Sequence, residues 1–184
     1  MPNKIQGIDE AILFYIQTHL KSPALDRIMV SITSLGNAGL IWIVIAFLFL
    51  ITRKYKKCGI SIICTLFLSR IMGDDILKPW IGRIRPCHKF TQIPLVIPPP
   101  HSFSFPSGHT MIGFACATII FHFNKKLGSW AYIIASLIAY SRLHLFLHYP
   151  TDILGGIAFG ILTSQILLLI LEFLSRKLNQ DKFH

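Results

Sequence analysis

The chain has 184 residues and a formal net charge of +10, yet only 14% of its residues are charged and 53% are hydrophobic. A water-soluble domain of this length carries about 25% charged and 45–50% apolar residues, so the composition excludes an ordinary soluble domain. It favours a single membrane-embedded domain over residues 1–184, in which basic loops and a site for an anionic substrate, rather than nucleic-acid binding, explain the excess of Lys and Arg.

The first apolar segment carries its apolar residues on one face of a predicted helix. Ile8, Ile12, Ile16 and Leu20 recur at intervals of four residues, which is typical of a helix that lies in the membrane interface. The opening MPNKIQGIDE lacks the apolar core and cleavage site of a signal peptide, so we expect the later apolar segments to direct insertion. A sixth spanning helix drawn from residues 8–34 is the alternative.

Five further segments approach the length of about 20 mostly apolar residues that a spanning helix needs. They are residues 37–52, 58–77, 107–123, 129–147 and 151–174. The pattern therefore predicts an all-α integral membrane bundle with five transmembrane helices, or six with the alternative above, and an N-terminal interfacial helix.

The basic residues predict an orientation for this bundle. One side would carry nine of them: Arg53, Lys54, Lys56, Lys57, Lys125, Lys126, Arg176, Lys177 and Lys182. The other side would carry five: Lys78, Arg83, Arg85, Lys89 and Arg142. Because cytoplasmic loops are enriched in Lys and Arg, we expect the loop 78–106 and the turn 142–150 to face away from the cytoplasm.

Three polar clusters interrupt the apolar chain: KPWIGRIRP at 78–86, PSGH at 106–109 and SRLHLFLHYPTD at 141–152. The order of the segments places all three at the same membrane surface. The connection 78–106 also holds seven of the ten prolines, and a stiff loop of this length is usually functional. We therefore expect the three clusters to form one site.

Five residues in these clusters are suited to phosphate. Lys78, Arg85 and Arg142 offer fixed positive charge and several hydrogen-bond donors. Ser107 and Gly108 stand where a helix should begin, and the free backbone N–H groups and the helix dipole at such a position bind anions. These five are the predicted phosphate-binding residues.

Two histidines and a carboxylate complete the site. His109 and His148 can exchange protons near neutral pH, and either could be a nucleophile. Asp152 follows His148 by four residues, so its carboxylate could hold one ring nitrogen and leave the other free to attack, which favours His148. The set can transfer a phosphoryl group without a metal.

Taken together, the motifs resemble a known signature. They read as Lys78, six residues, Arg85-Pro86; then Pro106-Ser107-Gly108-His109; then Ser141-Arg142, five residues, His148, three residues, Asp152. This order and spacing resemble the three-part signature of the type-2 phosphatidic acid phosphatase (PAP2) superfamily, which also includes bacterial acid phosphatases and vanadium haloperoxidases.

The resemblance implies a role for each residue. His148 would form a phosphohistidine, Asp152 would orient and stabilise its ring, and His109 would protonate the leaving oxygen and later activate water. The five phosphate-binding residues would hold the phosphoryl oxygens. Neither a metal nor another cofactor is expected.

The five-segment hydropathy also resembles small bacterial membrane members, in particular undecaprenyl-diphosphate phosphatases. This implies a multi-pass protein of the bacterial plasma (inner) membrane with an extracytoplasmic site, whose partners are membrane lipids and a lipid phosphate. Undecaprenyl diphosphate ranks first as substrate. Phosphatidylglycerophosphate, phosphatidic acid and lipid A 1-phosphate stay open, because the motifs specify the phosphate and not the lipid. A phosphotransferase, a non-catalytic lipid-phosphate binder and a haloperoxidase are the alternatives from other classes.

The roles of four polar residues near the motifs are less constrained. Arg83 either contacts the substrate or anchors the loop. His144 lacks the spacing to Asp152 that favours the later histidine, so we expect a structural role for it. Asp74 is expected to pair with Arg70 within a helix; direct contact with the substrate is the alternative.

The fourth of these, Asp75, lies beside Asp74 near the outer end of the second predicted span. A charge there is costly unless it is paired or faces a wet cavity. The sequence does not choose between these for Asp75.

Overall fold

The computed structural model describes residues 2–180, and the side chains of residues 4–177. Within residues 2–180 the chain is all-helical, with nine α-helices and no strand. The helices are α1 (Pro2–His19), α2 (Pro23–Leu35), α3 (Leu40–Ile51), α4 (Lys56–Arg70), α5 (Lys78–Ile81), α6 (Pro86–Lys89), α7 (Gly108–Phe123), α8 (Lys125–His144) and α9 (Pro150–Gln180). The predicted helical class is confirmed.

Helix α7 lies at the centre of the bundle and packs against α4, α8 and α9. The close approach of α9 to α7 depends on glycine, since a Cβ at Gly160 would lie 2.4 Å from the backbone oxygen of Met111. Around this contact the core is apolar and includes Trp42, Ile62 and Ile119, all fully buried. The bundle thus fixes α7 tightly, and with it the PSGH cluster at its start.

Helix α1 buries only one member of its predicted apolar stripe, Ile16, and leaves the others exposed. Ile8 and Ile12 are exposed by 61% and 41%, whereas Leu13, Ile16 and the carboxylate of Asp9 are buried. The buried face packs against α8 and α9. Ile8, Ile12 and Leu20 of the predicted stripe are therefore free to meet lipid, whereas Ile16 packs inside the protein, where the acidic Asp9 is also buried.

Of the described helices, α9 alone is long and apolar enough by itself to cross a membrane, over Pro150–Lys177. Helix α2 and the segment Asn37–Ile51 reach that length together, with a bend of 46° between them. Helix α7 is apolar but shorter. All five segments named above lie mainly in helices, but the number of spans remains a prediction.

Two details bear on the other expectations from sequence. Helices α1 and α2 are separated by a break at residues 20–22, so residues 8–34 do not form one continuous helix. Lys182, one of the nine basic residues assigned to the cytoplasmic side, lies outside the described residues. The orientation of the bundle therefore stays an expectation.

The chain changes direction at each of the three polar clusters. Helix α4 runs into a π-helical turn, Ile71–Leu77, which ends directly before Lys78. Helix α7 begins after Ser107, and the turn 145–149 joins α8 to α9. These three helix ends lie at the same end of the bundle and surround one cavity.

Candidate active site

The cavity has a volume of about 910 Å³ and is polar at one end. Lys78, Arg85, His109, Arg142 and His148 all line it. These residues come from all three polar clusters, so the structure brings together what the sequence separates by up to 70 positions. Gly108 also lies on the wall, where a Cβ would sit 3.5 Å from the Lys78 Nζ.

The other end of the cavity is an apolar groove. Ile43 of α3, Ile63, Leu66 and Phe67 of α4, and Ile112 of α7 line it. Ile43, Ile63 and Phe67 are largely exposed on the outside of the bundle, by 49%, 47% and 67%. The cavity therefore joins a cationic pocket to an apolar surface.

His148 lies at the base of the polar end and is almost fully buried. Its Nε2 is 2.9 Å from Nη1 of Arg85, and its Nδ1 is 3.4 Å from Oδ2 of Asp152. Because an arginine can only donate, Nε2 must be the accepting nitrogen and Nδ1 carries the proton. The unprotonated nitrogen is thus the one beside Arg85.

Burial lowers the pKa of His148 to about 3, and the nearby charge of Arg85 adds to this, while Asp152 acts in the opposite direction. The ring is therefore neutral at pH 7, and its unprotonated Nε2 holds a lone pair that accepts the hydrogen bond of Arg85. This is the protonation state that a nucleophilic histidine needs.

Asp152 is completely buried, and its carboxylate has partners besides His148. Oδ2 accepts hydrogen bonds from Ser104 Oγ at 2.5 Å and from the Tyr149 backbone N–H at 2.8 Å. Oδ1 accepts from Nη1 of Arg83 at 2.6 Å. The carboxylate is therefore fixed on both oxygens, with Oδ2 turned toward the imidazole.

Arg85 is 3% exposed and is held by the protein as well as by His148. Its Nε and Nη2 donate to the carbonyl and the hydroxyl of Ser102, and its Nη1 also donates to the Leu147 carbonyl. Burial lowers the pKa of this guanidinium. Its plane is thus fixed at the cavity wall, and among the described side chains, 4–177, no carboxylate contacts it directly.

The expected pairing of Asp74 with Arg70 is at best secondary. Asp74 Oδ1 lies 2.5 Å from Nζ of Lys78, whereas the other oxygen is 3.9 Å from Arg70. The side chain of Arg70 is 70% exposed and that of Lys78 only 8%. Asp74 therefore pairs with Lys78, because a buried cation needs a counter-ion more than an exposed one does. Asp74 also lines the cavity. Its neighbour Asp75 is exposed.

The remaining cavity residues are oriented by α2 and by the turn after it. Arg142 Nη1 donates to Thr33 Oγ1 at 2.8 Å, and His109 Nε2 lies 3.1 Å from Asn37 Oδ1. Gly36 makes room for this histidine, because a Cβ there would lie 2.7 Å from His109 Cδ2. Helix α2 and the turn after it thus orient two residues of the polar end, Arg142 and His109.

Ser107 is positioned differently from Gly108. It is fully buried, its hydroxyl accepts a hydrogen bond from Thr110, and its backbone N–H donates to the Asp152 carbonyl. Its side chain does not cap α7. In this arrangement Ser107 ties the start of α7 to α9, and its predicted contact with phosphate stays a prediction.

His144 and Ser141 point away from the cavity. His144 Nε2 lies 2.8 Å from Oδ1 of Asp26 on α2, and the Ser141 hydroxyl donates to the Ile138 carbonyl in its own helix. Both contacts fasten helices together, which agrees with the structural role expected for His144.

Of the two roles predicted for Arg83, contact with the substrate or anchoring of the loop, its contacts favour the second. Its guanidinium donates to Asp152, Thr151, Gln6 and Asp9, at 2.6–2.7 Å in every case. Burial lowers the pKa of Arg83, but its hydrogen bond to Asp9 and the charge of Asp152 outweigh this and raise the pKa overall.

Sequence reasoning missed several of these partners, Asp9 above all. The signal for Asp9 was present, because it lies in helical register with the buried Leu13 and Ile16. Nothing in the sequence marked Asn37, Ser102 or Ser104.

Comparison with known proteins supports the family that the motifs resemble. The sequence matches the PAP2 superfamily over residues 58–176. It is 33% identical over 173 residues to phosphatidylglycerophosphatase B of Bacillus subtilis, and the alignment covers 87% of this chain and 81% of that protein. It is 27% identical over 149 residues to an undecaprenyl-diphosphatase of Sulfolobus acidocaldarius, and this alignment covers 80% of this chain and 71% of that protein.

A solved structure supports the same family. The crystal structure of the transmembrane PAP2-type phosphatidylglycerolphosphate phosphatase from Bacillus subtilis matches with a TM-score of 0.73 and 30% identity, over 92% of this chain and 87% of that one. The chain therefore belongs to the PAP2 superfamily, and it is a membrane lipid phosphatase of that superfamily.

Proposed function

We propose that the protein hydrolyses a lipid-linked phosphate or diphosphate through a phosphohistidine on His148. One observation carries this proposal: the accepting Nε2 of a neutral, buried histidine faces a cavity lined by Lys78, Arg85 and Arg142. These cations match the charge of a phosphate, and the apolar groove beside them matches a lipid chain.

In the first step, the Nε2 lone pair of His148 attacks phosphorus and the bond from phosphorus to the leaving oxygen breaks. Before this attack, Arg85 must transfer its hydrogen bond from Nε2 to a phosphoryl oxygen, because that bond occupies the attacking lone pair. His109 gives a proton to the leaving oxygen. The products are the released lipid and a phosphorylated His148 with Nδ1–H still directed at Asp152.

In the second step, water attacks the same phosphorus and the phosphorus–nitrogen bond breaks. The electron pair returns to His148 Nε2, and His109 takes a proton from the water. Inorganic phosphate leaves. The three cations and the amides at the start of α7, including that of Gly108, stabilise the charge on the phosphoryl oxygens in both steps.

Undecaprenyl diphosphate is our first choice of substrate. The groove between α3 and α4 offers an apolar path for an isoprenoid chain, and a curated relative is named an undecaprenyl-diphosphatase. Phosphatidylglycerophosphate is the second candidate, because the relative at 33% identity is named for it. We further propose that residues 1–184 form one catalytic domain with its site on the extracytoplasmic face.

The test is phosphate release by the purified protein in detergent, with EDTA present. Undecaprenyl diphosphate, phosphatidylglycerophosphate and phosphatidic acid would be compared, with His148→Ala as the inactive variant. His122→Ala is the matched control, since His122 is exposed on α7 away from the cavity. We expect release that survives EDTA, persists in the control and disappears in His148→Ala, with undecaprenyl diphosphate turned over fastest.

Three other results would each remove one part of the proposal. Activity lost on adding EDTA would contradict metal independence. A higher rate with another lipid would replace the substrate. Full activity in His148→Ala would overturn the phosphohistidine mechanism.

A further inference from the structure

A chain of short contacts leads from the N-terminal helix to the proposed nucleophile. Asp9 Oδ2 accepts from Nη2 of Arg83 at 2.6 Å, and Nη1 of the same guanidinium donates to Asp152 Oδ1 at 2.6 Å. The other oxygen of Asp152 faces Nδ1 of His148. Four residues from three separate parts of the sequence thus form one line.

Asp9 is also attached to the start of α9. Its Oδ1 accepts from the backbone N–H of Thr151 at 2.9 Å, and its Oδ2 accepts from the Thr151 hydroxyl at 2.5 Å. That hydroxyl in turn accepts from Arg83 at 2.7 Å. Asp9 therefore acts as an N-terminal cap supplied by another helix, next to Asp152. We call Asp9, Arg83, Thr151 and Asp152 the rear network.

The rear network is buried and carries an unbalanced charge. The side chains of Asp9 and Asp152 are 1% and 0% exposed, and that of Arg83 is 19% exposed. Two carboxylates share one guanidinium, so the formal charge is −1. That remaining charge lies beside His148, whose ring becomes positively charged when Nε2 is phosphorylated and Nδ1 keeps its proton.

We infer that Asp9 is a positioning residue for phosphoryl transfer, which acts on His148 through Arg83 and Asp152. It divides the guanidinium between two carboxylates, so Asp152 keeps enough negative charge to stabilise the phosphorylated ring. It also fixes the first turn of α9, which carries Asp152. This inference rests on the proposed function and adds to its machinery a residue that lies outside the three motifs.

Replacing Asp9 by Asn tests the inference, because the amide is close in shape but removes the charge. Arg83 would then compensate Asp152 alone, and the ring would lose part of its counter-charge. We expect kcat/KM to fall about tenfold, by analogy with the roughly 10–100-fold loss on removing a partner that orients a metal ligand.

Two inhibitors separate positioning from general damage. Orthovanadate forms a five-coordinate adduct with a nucleophile, whereas inorganic phosphate binds the cations without bonding to His148. We expect the inhibition constant of vanadate in Asp9→Asn to rise by about the same factor of ten, while that of phosphate stays within about twofold. A purely structural role would lower the active fraction and change neither constant.

Glu10→Gln is the matched control on the same helix. Glu10 pairs with Lys89 at 2.5 Å near the surface, and the amide keeps an oxygen for its contact with Gln6. We expect wild-type constants in this variant. If Asp9→Asn fails to fold, Thr151→Val replaces it, because it removes the hydroxyl that bridges Asp9 and Arg83 without a change of charge, and a vanadate constant raised about threefold is then expected.

Unchanged vanadate inhibition in Asp9→Asn, or in Thr151→Val where that variant is the one that folds, would overturn the inference. If His148→Ala is inactive in the same experiment, the proposed mechanism survives that result. Activity in His148→Ala would overturn both, because there would then be no phosphohistidine for Asp9 to stabilise.

Discussion

Arg83 and Arg85 stand two positions apart in KPWIGRIRP and are used in opposite ways. Arg83 donates to two carboxylates of the protein, whereas Arg85 donates to carbonyls, a hydroxyl and His148. Accordingly, carboxylates raise the pKa of Arg83, and burial lowers that of Arg85. A cation with protein counter-ions holds structure, while one without them is available to an anionic ligand.

The same contrast separates the two faces of the turn between α8 and α9. The face toward the cavity carries positive charge that a phosphate would balance. The rear network behind it carries a formal charge of −1 that balances the phosphorylated ring. His148 lies between them, so each face should affect a different measurable property.

The largest effect should come from Arg85→Ala. Removing the guanidinium beside Nε2 deprives the transferred phosphoryl group of a fixed, buried donor, and we expect kcat/KM to fall about 10³-fold. The unfolding temperature in detergent should fall less than that of a variant at Arg83, because among the described side chains no carboxylate contacts Arg85 and would lose its partner. A loss of activity below tenfold would place Arg85 outside phosphate binding.

Arg83→Gln should show the reverse pattern. It leaves Asp9 and Asp152 as buried carboxylates without a counter-ion, which typically costs about 3–5 kcal/mol. We expect a clearly lower unfolding temperature than in Arg85→Ala, together with a smaller loss of activity per folded molecule. Equal unfolding temperatures for the two variants would contradict the division of roles.

The smallest effect should come from Asp74→Asn. Asp74 competes with phosphate for Lys78, so its removal should let inorganic phosphate inhibit a few-fold more strongly. The exposed neighbour gives the control, because Asp75→Asn removes the same charge outside the cavity lining. Phosphate inhibition that is unchanged or weaker in Asp74→Asn would show that Asp74 supports Lys78 rather than competes for it.

The sequence predicted the residues that line the cavity better than it predicted the rear network, for a physical reason. The spacing of four between His148 and Asp152 is a local signal at the end of one helix. The contact of Asp9 with Arg83 joins positions 74 apart and depends on how α1 docks, which no local pattern encodes.

Local spacing also failed to predict the partner of Asp74, because two basic residues have the same spacing from it. Both Arg70 and Lys78 are four residues from Asp74, and burial of the lysine decided between them. In the same way, the helical class followed from composition, but the number of spans could not be read from apolar segments as short as α7.

The most direct test of the central claim is to trap the phosphorylated enzyme. In a His109→Ala variant attack by water is slowed, and with a diphosphate lipid the first step still proceeds, because a phosphate leaving group needs little protonation. The mixture would be quenched in alkali and mapped by mass spectrometry. We predict one phosphate on His148, stable in alkali and lost in acid, as expected for phosphorus bound to nitrogen. Phosphate on another side chain, or turnover by this variant without any phosphorylated His148, would contradict the account.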